Sequence, residues 1–353
     1  MAILYLNLSM VFTFSLMARF ASKKSRENSL IHSPNKYLIF LAASSLIIVS
    51  GLRNNIGDTY YYMHSYENFP ITWRNIDFTG DFGFNLFQML LQQITADPQI
   101  MIFLTALLTN ALIVITIYNY SRFIEVSLYV YITLGYFLVS MNGVRQYLAA
   151  AILFIGTKFI IEGRFKEYLM VVLLAATFHQ TALIMIPIYF IVRFPAWSKA
   201  TYILLSGAVL LVLGFNEFMN ILFSAIENTK YGDYKDFNEG GANILRVAVS
   251  AAPVLLAFLG REKLKEMASN SDVIVNMSIL SLLFMIISTQ NWIFARFSIY
   301  FGLYQLILIA WIIKLFKRKD QKLVYYVILL SYFIYFYFEH VIALGVVYKS
   351  NYF

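Results

Sequence analysis

Residues 135–154, "GYFLVSMNGVRQYLAAAILF", decide what kind of protein this is. They lie inside a segment, 126–161, that is apolar enough to cross a membrane twice and carries only two charges, Arg145 and Lys158. Lys158 stands near an end, where its stem can snorkel to the interface. Arg145 stands where the two spans meet, beside Asn142 and Gly143. A permanent cation in that place needs a physical reason.

The rest of the chain has the same character. Of 353 residues, 60% are hydrophobic, 18% aromatic and only 13% charged. A soluble domain has no use for so much apolar surface, and the long unbroken apolar runs exclude the ten-residue alternation of a membrane barrel. The expected fold class is therefore all-α, a polytopic helical membrane protein with about 10–12 transmembrane helices. A single membrane domain covering 1–353 is expected, because no polar stretch is long enough to form another. Cysteine is absent, which removes disulfides and thiolate chemistry. The first segment, 2–20, lacks a basic leader and a small-residue cleavage site, so a retained helix is expected. The net charge of +8 is spread over short loops rather than one stripe. It points to membrane lipids and a positive inner face, with no nucleic-acid partner.

Spans are expected near 2–20, 37–52, 99–118, 126–141, 145–161, 201–218, 243–260, 273–290, 292–313 and 323–347, with a shorter pair at 168–178 and 180–192 broken by "HQT". If that pair is a re-entrant hairpin, both termini face out. The inner loops are then 21–36, 119–125, 162–167, 193–199, 261–272 and 314–322. With Arg19 and Lys158 they hold 19 of the 27 Lys and Arg. One kinked helix instead would put "KLFKRKDQK" outside, against the positive-inside rule. Two large outer loops follow, 53–98 with net charge −3 and 219–243 with net charge −2. The first contains an amphipathic stretch, "FGFNLFQMLLQQI", expected in the membrane interface.

Eight basic residues are left on the outer side, and five are arginines: Arg53, Arg74, Arg145, Arg246 and Arg296. An arginine at membrane depth costs about 2.5–3.5 kcal/mol on insertion scales. Its planar fork matches phosphate or carboxylate. Several such forks suit a polyanionic head group; snorkelling to lipid phosphates is the alternative. Tyr60 and Tyr61, in "DTYYYMHSYEN", offer the aromatic faces on which sugars stack, or form part of an interfacial belt.

No metal motif, phosphate loop or cofactor fingerprint is present. The candidate constellation is Arg53, Asp58, Arg145, His179, Arg296 and Glu339. Gly57 permits a tight turn that folds Asp58 back toward the second span. Arg145 and Gln146 begin a helix, whose amino end favours anions. Arg296 and Tyr300 are four apart and share a helix face. His179 sits at the apex of the short hairpin, able to move a proton or to serve as a structural imidazole. Glu339 interrupts the last helix, as a functional acid or as the partner of an arginine.

These same residues carry a family resemblance. "GLRNNIGDTYYYMHSY" (51–66), "MNGVRQYLAAAI" (141–152), "FHQTALI" (178–184) and "ARFSIYF" (295–301) resemble, in order and spacing, the motifs of EpsG-like proteins among the Wzy-type bacterial polysaccharide polymerases. That family usually has Asp two residues after the glycine of the first motif; here Asp58 follows Gly57 directly and Thr59 takes the usual place. The resemblance implies a fold related to the C-type membrane glycosyltransferases. It also implies transfer of a glycan from undecaprenyl pyrophosphate to the sugar of a second lipid-linked repeat unit, at the outer face of the bacterial cytoplasmic membrane. Lipid-linked oligosaccharide is then the substrate, a chain-length regulator protein is a partner to expect, and no cofactor or metal is needed. Arg53, Arg145, Arg246 and Arg296 would hold pyrophosphate. Tyr60, Tyr61, Gln146 and Tyr300 would hold sugar, and His179, Asp58 and Glu339 would be the catalytic groups. Two rivals have similar length and hydropathy. One is a membrane acyltransferase fed from the cytoplasm; the other is a transporter or flippase for lipid-linked glycans.

Overall fold

The computed structural model describes residues 1–22, 34–215, 217, 240–268 and 271–353. The expected outer loop 219–243 falls outside the described residues up to 239, as does most of the inner loop 21–36. The described residues are helical, with one isolated antiparallel bridge between Arg53 and Ser350. They form a polytopic all-α membrane protein. Four helices, Ala2–Phe20, Gln99–Tyr120, Trp292–Leu315 and Gln321–Ala343, are long and apolar enough to span a bilayer, and up to six spans result if each of two bent pairs counts as one. The expected 10–12 helices are reached only by including shorter apolar helices of 10–17 residues.

The chain gathers into two compact units, Met1–Tyr189 with Ile309–Phe353, and Phe190–Leu308. The first unit begins with α1 (Ala2–Phe20), α2 (Lys36–Gly51), α3 (Thr59–Asn68), α4 (Phe82–Gln92) and α5 (Gln99–Tyr120). It continues with α6 (Ile124–Thr133), α7 (Tyr136–Asn142), α8 (Val144–Ile155), α9 (Thr157–Ile161) and α10 (Phe165–Phe178). Helix α1 packs between α6 and α2, α2 on α5, α5 on α8, and α8 on α10. With apolar surface on nearly every face, polar side chains fix the register of these helices. Ser45 donates to Asn7 across α2 and α1 at 2.7 Å, and Tyr131 donates to Asn110 across α6 and α5 at 3.1 Å. Where α1 ends, Arg19 meets the fully buried Glu125 at 2.7 Å under the rings of Phe20, Phe123 and Tyr325.

Two expected spans are broken. The span near 126–141 bends by 54° between α6 and α7. Gly135 makes the bend, with φ of +89°, and the His340 ring occupies the space a Cβ would need. The span near 145–161 divides at Gly156 into α8 and α9. The last helix also changes: it is α-helical over Gln321–Phe336 and π-helical over Tyr337–Ala343, which carries Glu339 and His340. Departures into π geometry inside α-helices are frequent at functional sites.

The pair at 168–192 folds as a hairpin. Tyr168 and Phe165, at the start of α10, meet Tyr189 near the end of α11 (Met185–Ile191) at 5.5 and 5.1 Å between ring centroids. His179 is the extended residue at its apex, followed by a 3-10 turn, Gln180–Ile184. At about 1.5 Å per residue the 14-residue α10 is about 21 Å long, short of the roughly 30 Å hydrocarbon core.

In the second unit, Leu283, Ile287 and Phe294 pack with Ala208 of α12 (Lys199–Leu213). Gly240 and Ala242 pair with Trp292 and Ser288 through backbone hydrogen bonds of 3.0 and 2.7 Å. At Gly241 any Cβ would collide with the Thr289 carbonyl. These backbone bonds join the residues that precede the helix Ile244–Leu259 to the connection that precedes the helix Ala295–Ile312.

Candidate functional site

The site takes shape where α3, α4, α5, α8 and α10 meet. Tyr66, Phe84, Leu91, Met101, Ile102 and Val144 form its apolar floor, with Tyr62 and Phe178 packed against it. The amphipathic stretch expected in the membrane interface is α4; its residues Phe84, Met89 and Leu91 are buried against protein, while Leu90 is exposed. Gly83 explains the close approach: a Cβ there would overlap Thr177 of α10.

Asp81, the residue before α4, is the centre of the cluster. An acid in that position ordinarily caps its own helix, but Asp81 does not. Its Oδ1 accepts the Gln180 N–H at 2.9 Å, and its Oδ2 accepts from Arg145 Nη1 at 3.0 Å and lies 3.2 Å from His179 Nδ1. Burial pushes the Asp81 carboxyl up, but the hydrogen bonds from His179 and the Gln180 amide, with the charges of His179 and Arg145, outweigh it and hold the group below its ordinary range. Asp81 therefore stays an anion, and its pairing with Nδ1 leaves His179 Nε2 to exchange a proton.

Arg145 is the second residue of α8, as the helix start at Gly143 requires. Its Nε donates to the Tyr62 hydroxyl at 3.1 Å, and its guanidinium lies 5.8 Å from the centroids of both Tyr62 and Phe84. Aromatic faces and one carboxylate thus fix the fork. Its side chain remains 41% exposed, against 23% for His179 and 11% for Asp81, so the guanidinium is the open group of the three.

Arg53 behaves differently. It is 1% exposed, and it donates to the Thr59 hydroxyl at 2.9 Å, to the Met141 carbonyl at 2.8 Å and to Ser50. Ser50, Thr105, Thr109, Asn110 and Ser140 line a polar gap beside it. In this structure Arg53 ties the end of α2 to α7, and Thr59, standing where the family pattern has Asp, is one of its acceptors. The carboxy-terminal segment secures the same turn. Asn54 N–H donates to the Lys349 carbonyl at 3.0 Å, Asn55 Nδ2 to the Val347 carbonyl at 2.7 Å, and the Tyr348 hydroxyl to the Val49 carbonyl at 2.8 Å.

Gly57 makes the expected turn with φ of +54°, and Asp58 N–H then donates to the Asn142 side chain at 3.0 Å. Asp58 is exposed at the edge of the cluster, where its charge acts on Arg145. Tyr60 and Tyr61 are 64% and 70% exposed, and Tyr60 stacks on His64. Gln146 is buried in α8, and Glu339 is buried in the π segment. Arg246, Arg296 and Tyr300 belong to the second unit. Arg246 lies in the first turn of its helix, Arg296 stacks on Trp292 at 4.8 Å, and Tyr300 is buried.

The structure thus brings Arg145 and His179 together, with Asp58 nearby, through two residues that sequence reasoning missed: Asp81 and Tyr62. Asp81 stands 64 and 98 residues from its two partners, beyond any helical or strand period. The available signal was a Gly-Asp pair directly before an amphipathic helix.

No curated protein and no solved structure matches the chain. The model of the EpsG family matches residues 36–352, nearly the whole length and all four motifs. The chain therefore belongs to the EpsG family, a multi-pass membrane protein of the polysaccharide-polymerase-like, Wzy type.

Proposed function

We propose that the protein is a polysaccharide polymerase that transfers a glycan from undecaprenyl pyrophosphate to a hydroxyl of a second lipid-linked repeat unit, at the outer face of the bacterial cytoplasmic membrane. The observation that carries this reading is the convergence of Arg145 and His179, from two separate motifs, on Asp81. In this reading Arg145 receives the pyrophosphate. A preorganised guanidinium aimed at developing charge is usually the largest catalytic contribution.

The acceptor hydroxyl attacks the anomeric carbon of the donor as the bond from that carbon to the pyrophosphate oxygen breaks. The electron pair leaves with the lipid pyrophosphate, whose added charge Arg145 stabilises. The acceptor proton passes to His179 Nε2, and attack opposite the leaving group inverts the anomeric centre. The exposed faces of Tyr60 and Tyr61 lie on α3, the helix that supplies Tyr62 to Arg145, and are assigned to the sugar. Kinship with the C-type glycosyltransferases, outward-facing termini and metal independence belong to the same reading.

The test is elongation of lipid-linked repeat units by purified protein. His179→Gln keeps a hydrogen-bonding side chain but loses the proton acceptor, and should slow elongation about 10²–10⁴-fold. A loss of less than about tenfold would remove His179 from the role of base and leave it as an orienting group.

A further inference from the structure

Asp81 Oδ2 serves two donors, Arg145 Nη1 at 3.0 Å and His179 Nδ1 at 3.2 Å, while Oδ1 is taken by the Gln180 amide. An oxygen shared in this way gives each donor less than it would give either alone. The two donors are not equally accessible: the Arg145 side chain is 41% exposed and that of His179 23%, and the carboxylate between them is 11% exposed. An incoming anion therefore meets the guanidinium first. We propose that a phosphate or pyrophosphate group draws Arg145 away from Asp81, so that the full charge of Asp81 falls on the His179 Nδ1–H and makes Nε2 a stronger proton acceptor only when the anion is bound. Asp81 is then a positioning residue that couples donor binding to activation of the acceptor hydroxyl. The inference rests on the polymerase reading for its ligand, though not for its geometry.

Before the anion arrives, His179 shares Oδ2 of the carboxylate with the Arg145 guanidinium. Afterwards it faces a whole carboxylate and an added anion, which favour the imidazolium. The charged and titratable groups around it are Asp81 from the turn before α4, Arg145 from α8 and, beyond Arg145, Tyr62 and Asp58 from α3 and its turn. Of these, Arg145 is the group both exposed to ligand and bonded to Asp81. Gln180, fixed by its amide to Oδ1, keeps the carboxylate in place while Oδ2 is exchanged between partners.

The chain has four histidines, so the imidazole signals of the full-length protein in nanodiscs are few, and His179→Gln assigns one of them. The titration midpoint of His179 is measured by NMR with and without saturating inorganic pyrophosphate, whose binding is followed by calorimetry. The midpoint should rise by about one pH unit on binding, and the rise should shrink to less than about half in Asp81→Asn. A rise of full size in Asp81→Asn would show a direct effect of the ligand charge and overturn the coupling, as would binding with no rise. If pyrophosphate does not bind, the donor assignment fails, and Arg145→Gln decides the coupling by itself. Removing the competing donor should raise the His179 midpoint more in the presence of Asp81 than in Asp81→Asn. Equal shifts in the two backgrounds would overturn it.

Discussion

At the scale of residues, one carboxylate explains why two distant motifs carry a cation and an imidazole. Asp81 is paired on both oxygens, and its carboxyl lies below the ordinary range, about 3.9 for Asp. A carboxyl depressed on folding adds stability above its unfolded value and loses that contribution as pH falls through the folded one. Wild-type protein and Asp81→Asn should therefore differ in unfolding temperature at pH 7 and pH 5 and converge below about pH 4. A gap that stays undiminished well below about pH 4 would contradict the pairing. Arg53 shows the opposite use of an arginine. It is a buried cation held by carbonyls and hydroxyls, and nothing in its sequence surroundings separated it from Arg145. Both stand at the ends of apolar helices near a glycine; only the packing tells which one faces outward.

At the scale of elements, apolar run length placed nearly every helix, because each helix surrounded by lipid or protein must be apolar over most of its length. Breaks inside those runs were harder to read. Gly135 lies in a stretch of uniform hydropathy, and the reason for its bend, the His340 ring, is contributed from the other end of the chain. His179 was legible as an apex because "HQT" interrupts two apolar arms, whereas the packing of α4 on α3, α5 and α8 was not, because those partners are distant in sequence. Two glycines test this view of the elements. Gly135→Ala meets both a positive φ and the His340 ring, and should destabilise the protein by at least about 2 kcal/mol. Gly207→Ala, inside α12 with open space around it, should be neutral or stabilising by up to about 1 kcal/mol. Thermal unfolding in detergent checks both; equal effects would mean that the Gly135 bend is not needed.

At the scale of the whole molecule, composition alone made the class legible, since a chain of this apolarity has no soluble fold available. Orientation follows from where the lysines collect. In the orientation proposed here, with the hairpin α10–α11 returning to its own side, 53–98 is expected to face out and 314–322 to face in. Because the chain has no native cysteine, single cysteines at Ser65, at Asn238 (outside the described residues) and at Lys319 should report sidedness without background. The first two should react with an impermeant reagent in intact cells, and Lys319→Cys should not; labelling at 319 would reverse the assignment. The central claim is that Arg145 is the anion ligand of a polymerase site built on Asp81. It is tested most directly by single-turnover elongation of lipid-linked repeat units by purified wild-type protein and Arg145→Lys, both in EDTA. Lysine can keep the ion pair with Asp81 but cannot present a bidentate fork. Wild-type protein should elongate in EDTA, and Arg145→Lys should be slower by about 10²–10³-fold while remaining folded and inserted. Equal rates for the two proteins, or a wild type that works only with added divalent metal, would contradict the account.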